Sequence, residues 1–129
     1  MTPSATTDML QVLGYLYLRF GQHRRALALL QIAAREAPDD PGVLRSLAYA
    51  LVLNKAPEEA LAVLEKLTSL EPSSRQAARL LESRALLLQG RISEAQRSFR
   101  QFVDLQARQR PSEDLPPAGA EQASRGWSA

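Results

Sequence analysis

Apolar residues recur along most of this chain at helical spacing, three, four and seven positions apart, which keeps them on one face of an α-helix. The pattern is clearest between Pro41 and Pro72. Leu44, Leu47, Ala48 and Leu51 form one stripe, Ala60, Val63, Leu64 and Leu67 form a second, and Asn54 to Ala56 separates them. Pro41 follows Asp40, and Pro57 precedes Glu58 and Glu59. Proline in a first helical turn loses no needed amide donor, and acids there meet the positive end of the helix. The pattern predicts two amphipathic helices joined by a short turn. One such hairpin cannot bury both of its faces, so it requires neighbours.

Moving the pattern back by 34 residues supplies one. Leu44, Leu47, Leu51, Ala60, Leu64 and Pro72 fall on Leu10, Leu13, Tyr17, Ala26, Leu30 and Pro38, and Ala48 falls on Gly14. The small residues let paired helices approach closely while the large ones fill the space beside them. On this reading Leu10, Leu13, Gly14 and Tyr17 make the packing stripe of the first helix. Gly21 is placed to take the left-handed conformation that closes it. A third copy, one residue longer, sets Gly90, Ala95, Phe99 and Phe102 against Gly21, Ala26, Leu30 and Ala33. The extra residue belongs to the turn after Pro72, where Ser73 or Ser74 is the expected N-cap. The spacing predicts helices at about 8–20, 24–37, 41–54, 57–70, 75–89 and 92–109.

A 34-residue period carrying these residues resembles the tetratricopeptide repeat (TPR) family. The resemblance implies an all-α fold of three helical hairpins in a right-handed superhelical stack. The expected layout is a short lead at 1–7, a TPR domain at 8–109 and a tail at 110–129, with repeats at about 7–40, 41–74 and 76–109. The tail holds Pro111, Pro116 and Pro117 among few apolar residues, a composition expected to stay disordered.

Composition narrows the function classes. The 129 residues are 45% hydrophobic but only 5% aromatic, which suits one helical domain with a Leu- and Ala-rich core. There is no cysteine, hence no disulfide framework and no thiolate site. No apolar run approaches the roughly 18 residues of a membrane span. The start, MTPSATTDM, lacks the basic and apolar regions of a signal peptide, and a cytoplasmic location is expected. The net charge is +2 with both signs interleaved, whereas nucleic-acid binders gather cations on one stripe. Arg24 and Arg25 read as a solvated helix start.

Candidate chemistry is sparse. His23 has no carboxylate or second histidine at ligand spacing, so no metal site is expected. Asp39 with Asp40, and Glu58 with Glu59, adjoin helix starts, where the helix dipole accounts for them. Ser46, Ser69, Ser83, Ser93 and Ser98 have no base to activate them, and no glycine-rich loop cradles a phosphate. The expectation is a protein that is not an enzyme and uses no cofactor.

A partner is expected on the concave face, which the first helices of TPR repeats line. By that resemblance the groove positions are Gln11, Tyr15, Leu18 and Arg19, then Arg45, Tyr49, Val52 and Leu53, then Leu80, Arg84, Leu87 and Leu88. The helical period independently puts Tyr15, Leu18 and Arg19 on one face, and Tyr15 and Tyr49 are 34 residues apart. Tyrosines stand where a carboxylate-clamp TPR domain needs asparagines, which argues against capture of a C-terminal carboxylate. An amphipathic helix or extended apolar segment suits this groove better. The alternative, that these residues are simply core, stays open. Phe99, Phe102, Val103 and Leu105 crowd the last helix and mark a second candidate contact surface.

The stretches GYLYLRFGQHRRALALL, LAYALVLNKAPEEA and SRALLLQGRISEAQRSFRQFVDL, with Ser83-Arg84-Ala85 before Gln89-Gly90, resemble the YscY (SctY) family of type III secretion chaperones. The resemblance runs over about 13–105 and implies a chaperone that holds a small secreted YscX-like client, keeps it soluble and links it to the export gate. Homodimer formation and direct contact with the export-gate protein stay open. Alternatives are a chaperone for a translocator or needle subunit, or a general TPR scaffold. Neither nucleic acid nor membrane insertion is expected.

Overall fold

The structure, a computed structural model, describes residues 3–109. They form α1 (Pro3–Arg19), α2 (His23–Glu36), α3 (Pro41–Leu53), α4 (Pro57–Leu70), α5 (Arg75–Leu88) and α6 (Ile92–Gln109), with a short 3-10 turn at Pro72–Ser74. Tail residues 110–129, expected to be disordered, lie outside the described residues, Trp127 among them. Among the described residues there is no strand, and the helices recur after 34 residues in the second hairpin and, with one residue more, in the third.

The helix starts and stops follow from local chemistry. Asp40 caps α3, its Oδ1 accepting the N–H of Gly42 at 2.9 Å and of Val43 at 3.4 Å. Each first helix then closes in the same way. The N–H groups of Gln22, Ala56 and Arg91 donate to the carbonyls of Tyr17, Leu51 and Leu86 at 2.8, 2.9 and 2.9 Å. This is the Schellman closure, which needs a left-handed residue just past the helix. Gly21 (φ +77°), Lys55 (φ +58°) and Gly90 (φ +76°) occupy that place.

Two local expectations are corrected. α1 begins at Pro3 rather than near Asp8, so most of the expected lead is helical. Proline is pre-organised for a first helical turn, and Thr7 one turn further on is buried. The serines after Pro72 do not cap α5. The Ser74 hydroxyl donates instead to Glu71 Oε1 at 2.8 Å, inside the 3-10 turn that absorbs the extra residue.

The hairpins α1–α2, α3–α4 and α5–α6 stack in order, α2 against α3 and α4 against α5. Leu18, Ala26, Leu30, Leu47, Ala50, Leu51, Val52, Ala60 and Ala85 make one core cluster that spans all three repeats. Leu44, Ala48, Leu64, Leu67, Ala78 and Leu81 make a second between repeats two and three. Gly14 shows why small residues sit at helix crossings: a Cβ there would lie 2.8 Å from Cγ of fully buried Leu30. Asn54 adds a polar tie, its Nδ2 donating to the carbonyls of His23 at 2.8 Å and Ala50 at 2.7 Å. It fastens the end of α3 to the start of α2.

The third hairpin is packed differently. Arg79 and Glu82 stand where repeat two has Leu44 and Leu47. Arg79 Nη1 pairs with Glu82 Oε2 at 2.9 Å, and the Ser98 hydroxyl donates to Glu82 Oε1 at 3.2 Å. A polar network thus replaces part of the apolar seam. It stays satisfied, as partly buried charges require.

Candidate protein-binding site

The first helices touch one another, α1 with α3 and α3 with α5. The second helices do not: α2 and α4, and α4 and α6, bring no Cα atoms within 8 Å of each other. A stack that is tight along one side and splayed along the other curves toward the tight side. The surface of α1, α3 and α5 is therefore the concave one.

Ten of the twelve groove candidates reach that surface or its edge. Tyr15, Tyr49, Leu80, Leu87 and Leu88 are exposed large apolar or aromatic side chains. Arg19, Arg45 and Arg84 are exposed among them. The Arg84 guanidinium lies 5.8 Å from the centre of the Tyr49 ring, within cation–π range, and joins α5 to α3 across the face. Arg45 Nη2 is 3.4 Å from Glu71 Oε1, a weak exposed pair. Gln11 is half-buried and fills the space that a Cβ on Gly42 would need, and Leu53 is half-buried against the core. The remaining two are a correction. Leu18 is 8% exposed and Val52 is 4% exposed; both belong to the core cluster and offer nothing to a partner. They turn toward the next repeat, whose α3 or α5 covers them.

The face has one electrostatic sign at its centre. α3 carries no acid, and α1 carries only Asp8, near its start. Three guanidiniums, that of Arg45 paired with Glu71, stand among five apolar or aromatic side chains.

Sequence reasoning missed a stripe on α1. Met9, Val12, Leu13 and Leu16 are exposed, although Leu13 was expected in the packing stripe. The α3 counterparts of Met9, Leu13 and Leu16, which are Val43, Leu47 and Ala50, are buried, and that of Val12, Ser46, is half-buried. Among the described residues α1 touches only α2 and α3, which leaves this stripe uncovered. On the second candidate surface, Phe99 and Val103 are exposed and Phe102 and Leu105 are half-buried.

The splayed outer side holds an open cleft of about 630 Å³ between α4, α5 and α6. Glu65, Glu82, Glu94, Arg75, Arg79, Arg91 and Arg97 line it, and Arg91 pairs with Glu94 as Arg79 does with Glu82. Its charges largely satisfy one another. Among the described residues, no three His, Cys, Asp or Glu side chains group as metal ligands would, and no helix is long and apolar enough to cross a membrane.

A sequence model of the tetratricopeptide repeat matches residues 17–83. The chain belongs to the TPR family. The match ends within α5, where Arg79 and Glu82 depart from the apolar pattern. No curated protein matches this TPR chain in sequence. Among solved structures, it is similar to the type III secretion translocator chaperone SycD of Yersinia enterocolitica, crystallised as an alternative dimer. That likeness has a TM-score of 0.70 at 17% identity and covers 96% of this chain and 88% of the other. It is similar to the first TPR domain of human RPAP3 as well, with a TM-score of 0.69 at 17% identity, covering 95% and 91%. At these identities the likeness establishes the TPR fold alone.

Proposed function

We propose that this TPR protein is a chaperone of type III secretion that holds an apolar segment of a client protein across the concave face of α1, α3 and α5, without catalysis. One observation carries the reading: Tyr15, Tyr49, Leu80, Leu87 and Leu88 remain exposed along the side of the stack formed by α1, α3 and α5. An apolar client segment left in water would aggregate, and seating it on this face keeps it soluble. Each side chain fully buried on binding contributes about 1.5–3 kcal/mol before ordering costs, so a few anchors suffice. The resemblance to the YscY family supports a small secreted YscX-like client that the chaperone carries to the export gate in the cytoplasm. The likeness to SycD favours a second reading, in which the client is a translocator.

Co-expression tests it. The chain should raise the soluble yield of a co-expressed YscX-like protein, and Tyr49→Ala with Leu87→Ala should weaken that complex at least tenfold. Both side chains are exposed, so thermal stability should change little. An unaltered complex would sink the concave-face reading. A complex formed instead with a translocator would decide for the second client.

A further inference from the structure

The two junctions between repeats are built alike. The second helix of a repeat, with the last turn of its first helix, forms an acceptor face, and the first helix of the next repeat lies on it. In repeat one the acceptor residues Leu18, Leu30 and Ala33 are buried, Leu18 and Leu30 in one cluster with Leu47 and Ala50 of α3. In repeat two Val52, Leu64 and Leu67 are buried under α5. Counting by the repeat period, the third set is Leu87, Phe99 and Phe102. Leu87 is 56% exposed, Phe99 is 49% exposed and Phe102 is half-buried. The two rings sit side by side, centroids 6.1 Å apart, and among the described residues α6 touches no helix but α5.

We propose that this end of the stack is a docking site for one amphipathic helix of a partner protein, seated as α3 sits on repeat one and α5 on repeat two. The inference rests on the reading of the chain as a protein-binding module and adds a second site to it. Leu87 belongs to both surfaces, so the concave face runs on into the end face without a break.

The sequence of residues 110–129 does not have the pattern of such a helix. Residues 110–129 hold only Leu115 and Trp127 as large apolar residues, with three prolines, and carry no apolar stripe at helical spacing. A second copy stacked head to tail fits poorly as well. Its α1 would bring Met9, Leu13 and Leu16 where α3 brings Val43, Leu47 and Ala50. The acceptor has grown too, with Phe99 for Leu30 and Phe102 for Ala33. Enlargement on both sides overpacks the junction. Head-to-tail stacking of copies also leaves an open end that grows into a fibre.

The enlarged aromatic face selects a helix with small contact residues. α5 shows the pattern, since Ala78 and Ala85 lie against repeat two with Leu81 between them. The partner helix therefore carries alanine or glycine seven positions apart, a leucine between them, and a polar outer side.

Photo-cross-linking in cells that express the full chain tests this. A photoreactive residue replaces Phe99 in one variant and Tyr49 in another, and mass spectrometry identifies the joined segment. From position 99 the expected segment belongs to another protein and bears the small-Leu-small helical pattern. A synthetic peptide of that segment should bind Phe99→Glu about tenfold more weakly than the parent chain. Tyr49→Ala should leave that peptide's binding unchanged. Joining to a second copy, to residues 110–129 or to nothing overturns the proposal, as does a peptide indifferent to Phe99→Glu. Loss of cross-linking at position 49 alone counts against the concave-face reading and leaves the end site standing.

Discussion

Lys55 takes a backbone conformation that both of its counterparts, Gly21 and Gly90, give to glycine. A side chain in the left-handed region costs about 1–2 kcal/mol, part of which glycine's larger unfolded-state entropy offsets. Lys55→Gly should therefore stabilise the protein by about 0.5–1 kcal/mol, seen as a rise of about 3 °C in Tm. No rise would mean that Lys55 makes a compensating contact. Gly14 presents the opposite case. Its missing Cβ leaves room for Leu30, which is fully buried and has nowhere to move. Gly14→Val should cost about 1–3 kcal/mol in chemical denaturation, whereas Ala48, at the same place in repeat two, already carries its methyl group. The turn glycines and the small crossing residues were legible from their period. The buried state of Leu18 and Val52 was not, because helical spacing puts them beside Tyr15, Arg19 and Tyr49 but cannot say where the next repeat lies.

At the scale of elements, the six helices differ in how many sides they have covered. α3 touches α1, α2, α4 and α5, while α6 packs on α5 alone among the described residues. Local opening follows such coverage. Amide hydrogen exchange should show the greatest protection in α3 and the least in α6, with α6 opening below the global unfolding energy. Equal protection throughout would indicate that the end face is covered, for instance by self-association. The third hairpin also shows where pattern reading thins out. Arg79, Glu82 and Ser98 break the apolar repeat in sequence, and only the folded hairpin shows that they satisfy one another.

Across the whole molecule, one core cluster takes residues from every repeat, Leu18 and Leu30 from the first through to Ala85 of the third. Stacked repeats owe much of their stability to such junctions. Leu51 lies in the middle of this cluster at 2% exposure. Leu51→Ala should remove about 2–5 kcal/mol. If the junctions couple the repeats, the helical signal of α1 to α5 should then be lost in one transition at a lower denaturant midpoint. Separate transitions would show that the repeats are only loosely joined. The curvature that makes one face concave is likewise a property of the whole stack, since it comes from first helices that touch and second helices that do not.

Local chemistry alone determined a good part of this protein. Period, prolines and small residues specified six helices, three hairpins and a Leu- and Ala-rich core, because the 3.6-residue turn and the need for close crossings act on neighbours in the chain. The TPR family followed from those positions. Tertiary structure decided which apolar residues are spent on the stack and which are left to a partner. Leu18, Val52 and Leu87 are equivalent in the repeat, yet the first two are buried and the third is exposed. Among the described residues, the first helix of a following repeat packs over the first two and none packs over the third. Burial depends on what packs against a face, and a one-dimensional pattern does not contain that.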